Sequence, residues 1–406
     1  MIEISGIYAS ASVHVAGDTI DAIEPYAAAQ LKMLCDDPAA DGSKIHVMPD
    51  VHPGKVCTIG LTMTIGEKIL PNWIGADIGC GVTIAKLKCA ADEVRDIVPS
   101  GHIVAAEGTL KKRFRHNKKM DFKKLDTVIR ESIPAGFRIH EKIHTSAEGF
   151  EYSDLLCGGK VNIEKAKKSL GTLGGGNHFI EVDLDDDGSL YLAVHSGSRH
   201  LGQEVTEHYL RLGAEALKQR TEKVPYELTY LEGGLMDSYI HDVAVVQGYA
   251  ELNRTIIIRE ILKSMKWKIS EINSVCHNFI SDQDGSLILR KGAISASKGE
   301  FVVIPINMRD GMILGTGLGN AGWNCSAPHG SGRIQKREDV RKSHTVSEYK
   351  AAMKGIYSSC VGASTLDEAP FAYRGIDEIA EAIKPTVRIE KIIRPVYSYK
   401  AGGEEK

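Results

Sequence analysis

Long apolar runs are missing from this 406-residue chain. No stretch approaches the roughly 20 consecutive apolar residues that a membrane-spanning helix needs, and the opening MIEISGIYASASVHV lacks a basic region followed by an apolar core. A cytoplasmic protein with no membrane partner is the expectation. Paired cysteines are missing too. The eight thiols (Cys35, Cys57, Cys80, Cys89, Cys157, Cys276, Cys325 and Cys360) are scattered without a CxxC pair, which argues against a disulfide framework or a zinc ribbon. Most are expected to be small buried apolar residues. Charge of one sign is also scarce: 50 Lys and Arg against 53 Asp and Glu leave a net −3, so nothing global points to a nucleic-acid partner. Low-complexity linkers and fixed-period repeats are absent.

What remains is an ordinary globular composition, 43% apolar and 25% charged. The pattern predicts a mixed α/β (α+β) fold, with residues 1–406 forming one large domain of central β-sheets flanked by helices. Helical spacing runs through IEPYAAAQLKMLC, residues 203–219, about 235–270, VSEYKAAMKGIYSSC and DEIAEAIK. Between Ile45 and Leu87, from Leu170 to Gly202, and in LILRKGAI, GEFVVIPIN and RIEKIIRPVYSYKAG, alternating or apolar runs broken by Gly, Pro and Asp predict strands. The acidic LDDDG reads as a hairpin turn. One charge block stands out, GTLKKRFRHNKKMDFKKL at 108–125. It is either a solvated surface or a phosphate-binding patch with interleaved aromatics.

Four short segments carry metal-competent side chains beside glycine or at a strand end: GADIGCG (Asp77, Cys80), GGGNHFIE (Asn177, His178, Glu181), LAVHSGSR (His195, Arg199) and VCHNF (His277). Of these, Asp77, Cys80, His178, His195 and His277 supply one carboxylate, one thiolate and three imidazoles. Imidazole and thiolate suit Zn, Co, Fe or Mn rather than Mg or Ca. A thiolate can bridge two ions, so these five ligands could hold a pair with coordination positions left open for catalysis. PHGSGR adds His329 on a glycine-rich loop, where it could be a further ligand, a general base or a nucleophile.

Read in order, MPDVHPG (48–54), DIGCG (77–81), GGGNHFIE, HSGSR, RKGA (290–293), HGSGR (329–333) and RPVYSYKAGG resemble the RtcB family of RNA ligases across nearly the whole chain. The resemblance implies an active site assembled from loops around 48–81, 174–200, 276–293, 307–333 and 373–402. It implies an enzyme of tRNA splicing or RNA repair that joins an RNA 3′-phosphate or 2′,3′-cyclic phosphate to a 5′-hydroxyl end. The implied cofactors are GTP and two Mn²⁺ ions, and an activating protein is an implied partner. His329 matches the nucleophile that takes GMP from GTP, with Gly330 beside the phosphate. Cys80 matches the thiolate bridging both ions, with Asp77 and His178 on one and His195 and His277 on the other. Asn177, Glu181, Tyr373 and Lys400 match the guanylate pocket, where a glutamate can accept from the N1 and N2 donors of guanine. Arg199 matches a residue holding the RNA phosphate or the 5′-hydroxyl end.

Three departures suggest a divergent branch with a different RNA end or client. PINMRDG (305–311) replaces a glycine- and serine-containing turn, GSRHLG places His200 beside Arg199, and MPDVHPGK runs into VCTIG. Two other readings compete: a dinuclear metal-dependent phosphoesterase, which the ligand set alone permits, and a non-catalytic RNA-binding paralogue, which the basic block permits.

Overall fold

The strand-and-glycine stretches become two large sheets. The computed structural model describes residues 1–15, 22–90 and 120–401. Among these, one sheet orders six strands as Ile2–Ser5, Ser10–Val13, Ile45–His52, Ile59–Thr64, Ser286–Lys291 and Asn278–Gln283. The other orders seven as Ile269–Cys276, Gly81–Ala90, Ser189–Ser196, Phe179–Leu184, Val387–Lys400, Gly311–Gly317 and Phe301–Asn307. Every pairing within them is antiparallel except Ser10–Val13 with Ile45–His52. With helices packed against both, the architecture is the expected α+β arrangement. No helix among the described residues is long and apolar enough to cross a membrane.

The chain crosses from the second sheet to the first at a single residue, His277, which separates Ile269–Cys276 from Asn278–Gln283. Register then decides which side chains meet there. Gly81 pairs with both Cys276 and Ser196, while His195 pairs with both Val82 and Phe179. Cys80, His178, His195 and His277 are therefore delivered to one end of the same sheet, although almost 200 residues separate the first from the last.

One long helix, Gly233–Met265, ties the sheets together. Tyr239, Val243, Val246 and Tyr249 pack in a core with Val47 and Leu61 of the first sheet. Ile257, Ile258 and Ile261 pack with Leu192 and Val194 of the second. Such burial is worth about 1.5–3 kcal/mol per large aliphatic side chain. Between these two apolar halves sit Asn253 and Arg254, both buried. Asn253 accepts from Gly171 N and Thr172 N at 2.7 and 3.1 Å and donates to the carbonyls of Thr172 and Gly197 at 3.0 and 3.2 Å. Arg254 donates to the carbonyls of Gly79 (2.7 Å) and Ser196 (3.0 Å) and to the hydroxyls of Thr83 (3.0 Å) and Ser274 (3.1 Å). Its guanidinium fixes the residue before Cys80 and the residue after His195 in one fork.

Three elements differ from expectation. The helix predicted over VSEYKAAMKGIYSSC stops at Ala352. Its start has a full capping box between Thr345 and Glu348, but Gly355 takes φ +95° and Tyr357 N then donates to Val396 O, so the tail joins the sheet edge. LILRKGAI is two strands rather than one, because Gly292 bends away to donate to His277 O and to the Asn278 side chain. The helix expected from residue 203 begins at Arg199. The basic block lies outside the described residues as far as position 119, and its end enters the helix Phe122–Ser132.

Replacing Arg254 with Met strands two buried carbonyls. Arg254→Met is expected to lower the unfolding free energy by about 3 kcal/mol, read as a fall in the urea midpoint. An unchanged midpoint would mean that other contacts hold the two loops.

Candidate functional site

The five ligands expected from sequence are brought together. Cys80 Sγ lies 3.4 Å from His178 Nε2 and 3.3 Å from His195 Nε2, and His178 Nε2 lies 3.3 Å from Asp77 Oδ2. They form two triads, Asp77–Cys80–His178 and Cys80–His195–His277, each with its ligand atoms within 4.8 Å of one another. Cys80 belongs to both, as a thiolate shared by two cations would.

The imidazoles are aimed by their other nitrogens. His178 Nδ1 meets Leu173 O at 2.8 Å and His195 Nδ1 meets Asn177 O at 3.2 Å, which puts the proton on Nδ1 and leaves Nε2 as the ligand atom. Asn278 braces the Asp77 loop, donating to Asp77 O at 3.0 Å and accepting from Gly292 N at 2.9 Å. Close backbone approach is built in at Gly174, whose φ is +90° and where a Cβ would stand 2.6 Å from His178 Nδ1 and 2.1 Å from the Arg199 guanidinium.

Desolvation dominates the electrostatics. Burial and then the Asp77 charge push the Cys80 thiol far up, while burial followed by His178 pushes His195 far down. Burial, then His329 and His195, does the same to His277. Burial works against the Asp77 charge, but the hydrogen bond and charge of His178 outweigh it and hold that carboxyl low. His195 and His277 thus present neutral lone pairs to a cation, whereas the thiol must give up its proton to bind one.

His329 stands at the edge of this cluster. Its ring centroid is 4.8 Å from that of His277, and its Nδ1 is 2.7 Å from Oδ2 of the fully buried Asp50. Gly332 makes that pair feasible: at φ +71°, a Cβ there would stand 2.6 Å from Asp50 O. Part of the glycine content of PHGSGR therefore serves the approach of the Asp50 strand, a role that the sequence reading did not assign.

A cleft of about 740 Å³ opens beside His329, lined by Asn177, Phe179, Glu181, Gly330, Tyr373 and Lys400 among others. Glu181 accepts from Ser398 Oγ at 2.7 Å. Burial raises it to about 7, against the pull of Ser398 and Lys400. Tyr373 and Lys400 converge on a residue that the motifs did not single out, Glu368. The Tyr373 hydroxyl donates to Glu368 at 2.6 Å, and Lys400 Nζ donates to the same oxygen at 2.9 Å. Burial opposes the Glu368 charge, but Lys400, Arg337 and Arg333 hold it at about 2.

The chain matches the family model described as tRNA-splicing ligase RtcB over residues 38–401. It belongs to the RtcB family. Among its relatives, the RNA-splicing ligase RtcB of Escherichia coli K12 is 29% identical over 376 residues, covering 88% of this chain and 90% of that protein. The tRNA-splicing ligase RtcB of Aeropyrum pernix is 28% identical over 410 residues, covering 82% and 83%. That of Nanoarchaeum equitans is 26% identical over 422 residues, covering 86% of each.

Against the RtcB pattern, the departures now have places. In PINMRDG the Asn307 side chain closes its own turn, accepting from Arg309 N and Asp310 N at 3.0 and 2.9 Å. The cleft wall there is formed by Pro305, Ile306, Asn307 and Met308. His200 lines a separate hollow with Lys160, Lys165 and Arg211, and burial, Lys165 and Arg199 lower its basicity. Arg199 has a φ of 55° and is tied to Thr172 Oγ1 at 3.1 Å and Gly136 O at 2.6 Å, on the His178 side of the cluster.

Cys80→Ala removes the donor common to both triads, so bound metal should fall toward zero by elemental analysis. Cys360→Ala, which alters a thiol beside Arg130, should retain it. Because the Cys80 thiol is raised, each binding event at neutral pH releases its proton. Metal affinity should therefore climb about tenfold per pH unit from this group alone, and a pH-independent competition titration would exclude thiolate ligation.

Proposed function

We propose that this RtcB-family chain is a GTP- and manganese-dependent RNA ligase. It joins RNA ends bearing a 3′-phosphate or 2′,3′-cyclic phosphate to 5′-hydroxyl ends, in tRNA splicing or RNA repair. Family membership and the printed names of the relatives support the RNA-ligase class. The observation that carries the mechanism is the placement of His329, between the ligand cluster and the cleft, with Nδ1 bound to a buried carboxylate.

With Nδ1–H donated to Asp50, the lone pair of His329 resides on Nε2. Nε2 attacks the α-phosphorus of GTP, the bond to the β-phosphate oxygen breaks, and pyrophosphate leaves. Asp50 then faces the positive charge that develops on the imidazole, a stabilisation strongest where water is excluded. GMP passes from Nε2 to the RNA 3′-phosphate, and the 5′-hydroxyl of the second strand displaces it. Asn177 and Gly330 meet the phosphate, Glu181 reads the guanine edge, and Tyr373 and Lys400, set by Glu368, frame the base. Asp77, Cys80, His178, His195 and His277 would hold two metal ions through their thiolate, imidazole and carboxylate donors, and manganese is proposed from the family resemblance. Such ions neutralise phosphate charge and hold the reacting groups in line. Arg199 holds the RNA end.

Incubation with α-labelled GTP and Mn²⁺ should leave GMP on the wild-type protein and none on His329→Ala. Asp50→Asn, which keeps the shape but loses the charge, should slow labelling by about 100-fold. Label retained by His329→Ala would remove that residue from the chemistry. Hydrolysis of RNA phosphoesters without any adduct would favour the phosphoesterase reading.

A further inference from the structure

The turn Pro134–Arg138 has no part in the chemistry above, yet it is fastened to the site on two sides. Leu173 N donates to Pro134 O and Gly136 N to Gly174 O, each at 2.9 Å, and Ala135 forms an isolated bridge with Gly174. Gly174 is the residue whose backbone presses against His178. On the other side the Gly136 carbonyl accepts from Arg199 Nη2 at 2.6 Å. Ile133 and Ala135 are buried and anchor the turn from below. At its tip Phe137 is 72% exposed, followed by the exposed Arg138.

A phenyl ring held in water on a braced turn gains nothing from packing. An exposed aromatic beside cations is, however, the platform on which proteins stack the bases of single-stranded nucleic acid. The lip between the turn and the cleft is open in shape: Gly175 lies against Gly136, and the exposed Gly176 and Asn177 follow it. We propose that Phe137 stacks on a base of the RNA end whose terminal phosphate is held at Arg199 and the ligand cluster. This rests on the ligase reading and adds a subsite to it. The turn transmits position as well, because Arg199 and Phe137 are joined through one peptide unit, so phosphate and base are gripped at a fixed separation.

The test is binding of a short single-stranded RNA with a 3′-phosphate, followed by fluorescence anisotropy, for wild type, Phe137→Ala and Phe137→Trp. Phe137→Ala should raise Kd about tenfold and Phe137→Trp should restore it. Replacing the nucleotides nearest the 3′ end one at a time by abasic residues should reveal one position at which wild type and Phe137→Ala bind alike. Self-guanylylation should be unchanged in both variants, since the turn does not line the nucleotide cleft. Equal Kd values for wild type and Phe137→Ala would overturn the proposal. So would an alanine effect that persists at every abasic position, because the ring would then be meeting something other than a base, such as a protein partner. If wild type binds RNA through Phe137 but neither forms the adduct nor seals ends, the ligase reading falls and the stacking site stands.

Discussion

The site depends on one buried guanidinium. Arg254 donates to the carbonyls of Gly79 and Ser196, which lie next to Cys80 and His195. A guanidinium is rigid and planar, and both carbonyls accept from its Nη1, so one nitrogen rather than two flexible loops sets their separation. The cost of burying it is visible in its lowered basicity. That cost is offset because two hydroxyls and two carbonyls accept from it, and the carbonyls would otherwise lose that donor. The helix bearing Arg254 is placed by apolar packing against both sheets, so the metal geometry is coupled to the cores and not only to its local loops.

From that clamp follows a site assembled by register. The strand carrying His195 and the strands that follow His178 and Cys80 are neighbours, and the crossover at His277 brings in the other sheet. Cys80, His178, His195 and His277 are buried, while Asp77 stays partly exposed. Neutral His195 and His277 and a protonated Cys80 thiol are tolerable there, and the Asp77 carboxylate is held by His178. Cation binding therefore requires release of the thiol proton, which links metal uptake to pH.

The sequence made the ligands legible because each sits beside glycine or at a strand end. The register that unites them follows from the same alternating runs. Asp50, Arg254 and Glu368 were harder to see. Asp50 lies within a quoted motif, but its partner His329 is 279 positions away, and Arg254 contacts Gly79 across 175. Neither carries a local pattern that marks it, since a buried polar residue on an apolar helix face looks like an interruption until its acceptors are known. The helix over VSEYKAAMKGIYSSC was overextended for a related reason. Its periodicity continued while Gly355 and a backbone bond to the sheet edge ended it, and only the second of these is invisible in one dimension.

Two walls of the site are built differently, and the difference bears on how one scaffold can serve a nucleotide and an RNA end. On the cleft side, Glu368 gathers Arg333, Arg337, Tyr373 and Lys400 into an ion network that is largely buried except at the half-exposed Arg337. Losing any one cation leaves the others attached to a charge that cannot be solvated. Such a wall is preorganised and tolerates little substitution. On the opposite side, the grip on Arg199 is shared between a threonine hydroxyl and a backbone carbonyl, and the turn beyond it ends in an exposed ring. Sequence can change at that tip without disturbing a core or a buried charge. The turn is therefore a place where sequence can vary while the buried cluster and the cleft wall keep their geometry.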